Sequence, residues 1–192
     1  MAKKRSTIEK TYRQIQRMYG SKKIPDGFFE NLFVAVLSTE LPFDRIRDLY
    51  KKAQEDYVDL NEFRVTRIHD IVGKYDMEVA EQAMLRLLDV MNSLFEIEGV
   101  LNDRHFLEMD STEIKNILRR QKSLSKAERD YMLAACYHLK TTPVDKAVVN
   151  VLRRRNLFRG TVTVQSVKKK ITASFSQSRR IQFFLILREH SV

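Results

Sequence analysis

Between Leu118 and Arg155 the chain gathers the side chains best suited to act on a charged polymer. Lys115, Arg119, Arg120, Lys122, Lys126 and Arg129 are set against one acidic residue, Glu128, across a short turn and its flanks. Cations at this density hold phosphates by charge, a grip that carries no sequence information and weakens with salt. The turn itself, Lys122-Ser123-Leu124-Ser125, opens a helix in which Ser125 and Glu128 make the Ser-x-x-Glu pattern of a capping box. Asp145 follows Pro143-Val144 and stands where a carboxylate caps a helix from Lys146 to Arg155, which ends Arg153-Arg154-Arg155. Metal chemistry has little to draw on, because His69, His105, His138 and His190 lack ligand spacing. The single Cys136 excludes an intramolecular disulfide and a four-cysteine zinc or iron–sulfur site built from this chain alone. Such cysteine usage points to the cytoplasm.

The elements that position these residues read as helices almost throughout. Five glycines and three prolines punctuate 192 residues, and apolar spacing of helical period recurs from end to end. Helices are expected over Ser6 to Tyr19, Phe28 to Ser38, Phe43 to Tyr57, Asn61 to about Gly73, Tyr75 to Phe95, Asp110 to about Arg120, Lys126 to His138, Lys146 to Arg155, Val164 to Ser174 and Ser178 to His190. The second has almost no polar face and reads as buried. In the last, Phe183 to Leu187 is a continuous apolar run, open at this stage to core packing or to a partner surface. The start, Met1-Ala2-Lys3-Lys4-Arg5, has no apolar stretch behind it, and no run approaches the roughly 18 apolar residues of a membrane span.

Charge is unevenly divided along the chain. Residues 1–25 carry a net +7, residues 26–114 a net −11 and residues 115–192 a net +14, within a total of +10. A fold that joins the two ends would set a positive lobe beside a negative one.

The order of motifs resembles the endonuclease III, or HhH-GPD, superfamily of DNA glycosylases. Phe28-Phe29-Glu30-Asn31-Leu32-Phe33-Val34-Ala35-Val36-Leu37-Ser38 is similar to its early Phe-Glu-x-Leu-x-x-x-x-Leu-Ser helix, and Ile71-Val72-Gly73-Lys74-Tyr75 to its Ile-Gly-x-Tyr turn. Leu118 to Arg155 is similar, without a gap, to its hairpin, roughly Leu-Pro-Gly-Val/Ile-Gly-x-Lys-Thr-Ala, and to the Val-Asp turn beyond. Val164 to Arg188 follows the spacing of its final helix pair. The resemblance implies an all-α, two-lobed fold. One lobe, residues 27–139, would contain the helix–hairpin–helix at about 111–138; the other, basic, would be formed by residues 1–26 with 140–192.

It also implies site roles and losses. Ser123 and Ser125 stand at the positions of the two hairpin glycines, so close backbone approach to a phosphate is expected to suffer, while Leu124 keeps the apolar residue between them. Ala127 stands where bifunctional members carry the nucleophilic lysine, and Lys126, about 100° away around a helix, is expected to point elsewhere. No Schiff-base lyase is therefore expected. Asp145 aligns with the aspartate that activates water and stabilises an oxocarbenium-like sugar. Glu40 lies near the position of a base-replacing glutamine, whose donor pattern it cannot copy. The expected partner is double-stranded DNA, damaged or abasic sites included, with no iron–sulfur cluster, no other cofactor and no membrane. The expected contacts are Arg119, Arg120, Lys122, Ser123, Leu124, Ser125, Lys126, Arg129, Lys146 and Arg153. Three readings stay open: a monofunctional glycosylase using Asp145, an inactive DNA-binding or damage-recognition module, and a helical scaffold for an acidic protein partner. The sequence sets no oligomeric state.

Overall fold

The helix at Phe28–Leu37 has almost no polar face, and in the computed structural model, which describes residues 7–154 and 162–190, nine of its ten side chains are buried. Such a helix must be enclosed. In chain order the described helices are α1 (Thr7–Tyr19), α2 (Phe28–Leu37), α3 (Phe43–Asp56), α4 (Leu60–Val65), α5 (Ile68–Tyr75), α6 (Glu81–Glu98), α7 (Asp103–Glu108), α8 (Ser111–Arg120), α9 (Lys126–Tyr137), α10 (Lys146–Arg154), α11 (Val164–Ser174) and α12 (Gln177–Glu189). There is no strand among the described residues. The fold is all-α. Packing against α2 are α3, α6, α7 and α9; α12 packs on α9 and α10, and α1 closes against α11 and α12, so the first and last described helices meet. No described helix is long and apolar enough to cross a membrane.

Buried polar groups fix how α2 enters this core. The Asn31 amide donates to the carbonyls of Pro25 and Gly27, each at 2.8 Å, and its Oδ1 accepts from the Tyr131 hydroxyl at 2.8 Å. The helix start is thereby tied to α9 with no donor wasted. Asp103 of α7 accepts the Phe29 N–H at 2.7 Å and comes so near Gly27 that a Cβ there would lie 2.8 Å from its carboxylate. A side chain at position 27 would force the Asp103 carboxylate to shift. Phe183 to Leu187 are all buried, so the apolar run belongs to the core.

Three expectations need correction. Asn61 to Gly73 is two helices, broken at Thr66 and Arg67, both extended, and α5 continues through Gly73 to Tyr75. It stops because Asp76 adopts a left-handed conformation, φ 52°, which also delays the long helix: a short 3₁₀ turn, Glu78–Ala80, comes first and α6 begins at Glu81 rather than Tyr75. The sequence reading also missed α7, whose Asn102 side chain accepts the His105 N–H. The expected helix start at Ser6, the basic residues before it and the end at Arg155 lie outside the described residues.

Candidate nucleic-acid interface

The turn between α8 and α9 is built without glycine because nothing in it needs one. The non-glycine residues of positive φ among the described residues are Asp76 and His138, so neither Ser123 nor Ser125 occupies the left-handed region. Leu124 is buried under the turn and its N–H donates to the Gln121 carbonyl at 3.3 Å. The buried Gln121 side chain reaches back to the Ile117 carbonyl at 3.2 Å. Ser125 then caps α9: its Oγ accepts the Glu128 N–H at 3.2 Å, and Glu128 Oε2 accepts the Ser125 N–H at 2.6 Å. The capping box read from the sequence is present.

That cap alters what the hairpin can bind. A phosphate at a helix start uses free backbone N–H groups and the positive end of the helix dipole. Here the N–H groups of Ser125 and Glu128 are consumed internally, and the Glu128 carboxylate, 1% exposed, already sits at the positive end. Arg86 of α6 neutralises it, with Nη2 at 2.9 and 2.7 Å from the two carboxylate oxygens, and also donates to the Ser123 carbonyl from Nε and Nη2 at 3.2 and 3.0 Å. The Ser123 hydroxyl donates to Asp89 of the same helix. The hairpin is pinned to α6, and the groups it leaves uncommitted are long basic side chains.

Asp145 lies beneath this turn, held from both sides. Its Oδ1 accepts the Val148 N–H at 2.8 Å, which makes it the cap of α10. Its Oδ2 accepts two bonds from Arg188 of α12, Nε at 2.9 Å and Nη2 at 2.7 Å. Arg188 is 2% exposed and spends the rest of its fork on the Ala35 carbonyl at 2.8 Å, Ser38 Oγ at 3.2 Å and Glu128 Oε1 at 3.4 Å. One guanidinium thus joins α2, α9 and α12 to the residue that caps α10. A carboxylate offers about four acceptor sites, and three of those on Asp145 are filled. Its side chain is 18% exposed, and its charge is matched by a cation in direct contact.

The other expected residues divide into two groups. Arg119, Arg120, Lys122 and Lys146 are exposed and make no hydrogen bond or ion pair among the described residues. The remaining cations are engaged: Lys126 with Asp130 at 3.3 Å, Arg129 with the Gln121 carbonyl at 3.3 Å and Arg153 with the Val162 carbonyl at 2.6 Å. Ala127 is buried, whereas the Lys126 side chain is 76% exposed and paired with Asp130. Glu40 is exposed in the turn after α2. Burial raises the thiol of Cys136 well above its ordinary range, with the Asp103 carboxylate acting in the same sense, which makes it a poor nucleophile.

Sequence reasoning missed Arg188, Arg86, Asp89, and the bridge from Asp130 of α9 to Lys168 of α11 at 2.6 Å. One signal was available: Arg188 directly follows the unbroken apolar run Phe183 to Leu187. Nothing local to Arg86 or Asp130 announces a partner about 40 residues away.

Sequence comparison finds neither a matching family model nor a similar curated protein. Comparison of folds does find similar structures. The chain is similar to an endonuclease III trapped as a covalent DNA intermediate in an estranged-adenine complex, with a TM-score of 0.64 at 13% identity over 93% of this chain and 83% of that one. It is also similar to MBOgg1 in complex with a low-affinity DNA ligand, at TM-score 0.60 and 14% identity over 96% and 67%. A third is the apo form of Clostridium acetobutylicum 8-oxoguanine glycosylase/lyase, at TM-score 0.57 and 14% identity over 92% and 65%. The architecture is that of the endonuclease III-type glycosylases.

Proposed function

We propose that this chain, built on the endonuclease III-type fold, is a double-stranded DNA-binding module that does not excise bases. Arg119, Arg120, Lys122 and Lys146 supply uncommitted positive charge around the hairpin, and their contacts are to the phosphate backbone. The observation that carries the second half is the Asp145–Arg188 contact. Breaking a glycosidic bond builds positive charge on the sugar, which a catalytic aspartate lowers in energy through its own negative charge. A guanidinium bonded twice to the same carboxylate cancels most of that field where it is needed, and it also occupies both acceptor sites of Oδ2.

Two measurements test the reading. Duplex affinity measured against salt concentration should fall steeply, with a log–log slope of about −0.9 for each phosphate contact, so about −3.6 for the four free cations. Weak binding with a flat slope would remove DNA as the partner and leave the scaffold for an acidic protein. A panel of duplexes with damaged, mismatched and abasic positions should show no base release. Release that disappears in Asp145→Asn would restore the monofunctional glycosylase.

A further inference from the structure

A second cluster of uncommitted charge lies away from the hairpin, on the lobe where the first and last described helices meet. Arg13 and Arg17 are one turn apart on the exposed side of α1, and Arg179 stands in the first turn of α12, against which α1 packs. With Glu9, Tyr12 and Gln16 they line a surface hollow of about 370 Å³. The three arginines are exposed and form no ion pair or hydrogen bond among the described residues. Burial raises the Tyr12 phenol while the charge of Arg179 acts against it, as expected of a guanidinium that leans over α1. Like charges at i and i+4 on a helix repel, and a third brought from another helix adds to the cost. An anion seated among them reverses its sign.

We propose that this hollow is a second binding site for the phosphate backbone of double-stranded DNA, which rests on the DNA-binding reading above. Three arginines against one glutamate select a polyanion, and guanidinium forks match phosphate oxygens in pairs. The one aromatic ring in the lining, Tyr12, is 5% exposed and packed on Phe175 and Phe183, so no platform is offered to an unstacked base. That favours intact duplex over single strand. The site is also distinct from the hairpin. Arg188 marks the hairpin end of α12 through its bond to Glu128, and Arg179 lies nine residues earlier, about 14 Å along the axis at the opposite end. The chain therefore presents the duplex with a second basic patch beside the one at the hairpin.

The test compares the full chain with two exposed-residue variants, Arg13→Gln/Arg17→Gln/Arg179→Gln and Arg119→Gln/Arg120→Gln/Lys122→Gln. Each is titrated with a random-sequence duplex of about three helical turns, long enough to meet both faces, over a range of salt. The hollow variant is expected to lose up to about 2.7 from the magnitude of the log–log salt slope. A hollow variant with the wild-type slope, alongside a hairpin variant that weakens, overturns the second site and leaves DNA binding intact. No salt-dependent binding by the wild type overturns both. Loss confined to the hollow variant upholds this site and displaces the hairpin as the principal grip.

Discussion

Replacing Arg188 is the most demanding perturbation of the reasoning above. The side chain is 2% exposed and donates to Asp145, Ala35, Ser38 and Glu128. Arg188→Met keeps much of the volume and removes all of those donors. Breaking one partner out of a buried ion pair costs about 3–5 kcal/mol, chiefly through the charge left behind. The lower end applies here, because Glu128 keeps its bonds from Arg86 and Ser125, while Asp145 keeps its bond from Val148 and is 18% exposed to water. We expect a loss of about 3 kcal/mol, a large share of the 5–15 kcal/mol typical of a domain. At about 2–4 °C per kcal/mol for a chain of this length, the melting temperature falls by roughly 6–12 °C. Arg188→Lys, which restores charge but not the fork, should lie between. Chemical denaturation of Asp145→Asn, Arg188→Met and the double variant closes the cycle. If the two side chains act on each other as their distances imply, the double variant costs less than the sum by about 2 kcal/mol. An additive cycle, or a cost for Arg188→Met under about 1 kcal/mol, would refute the claim that Asp145 is held as half of a structural pair.

Other outcomes follow from the same contacts. Ser125→Ala removes one half of the α9 capping box and should cost about 1 kcal/mol in denaturant titration; a neutral result would mean that Arg86 alone holds the hairpin. Borohydride in the presence of abasic duplex should trap no protein–DNA adduct, since Lys126 faces Asp130; an adduct lost in Lys126→Ala would contradict the geometry. Native Cys136 should react with thiol reagents far more slowly at neutral pH than in denaturant, because burial raises its thiol, and equal rates would show an open site. The N–H groups of Thr112 and Glu113 hold the Asp110 carboxylate below its ordinary 3.8. A carboxylate lowered on folding stabilises above its unfolded value and loses that effect as pH falls through the folded one. The stability gap between wild type and Asp110→Ala should therefore be full above about pH 5 and shrink below it; a gap undiminished at about pH 2 would count against the cap.

Much of the fold was legible because it is written in local patterns. The apolar spacing of α2, the caps at Asp110, Ser125 and Asp145, and the order of motifs that resembles the endonuclease III superfamily all act within a few residues of their own positions. Errors fell where two short helices meet. Thr66 and Arg67 interrupt a pattern that looks continuous, and Asp76 takes a left-handed cap without a glycine to mark it. The hairpin shows both cases at once. Its capping box was readable, yet the consequence, a Glu128 carboxylate lodged where an anion would sit, depends on Arg86 about 40 residues earlier and Arg188 sixty later.

Alone, the sequence determined the class of fold, the basic character of residues 115–192, the absence of a lysine at position 127 and the presence of an aspartate at the start of α10. Those are properties of residue type and spacing, which the chain carries whether folded or not. What Asp145 can do was decided only in three dimensions. A carboxylate reads identically in sequence whether it faces water, a sugar or a cation, and its chemistry is set by the charge within a few ångströms. Folding brings Arg188 from 43 residues away to 2.7 Å, and that contact is what the proposed structural role of Asp145 rests on.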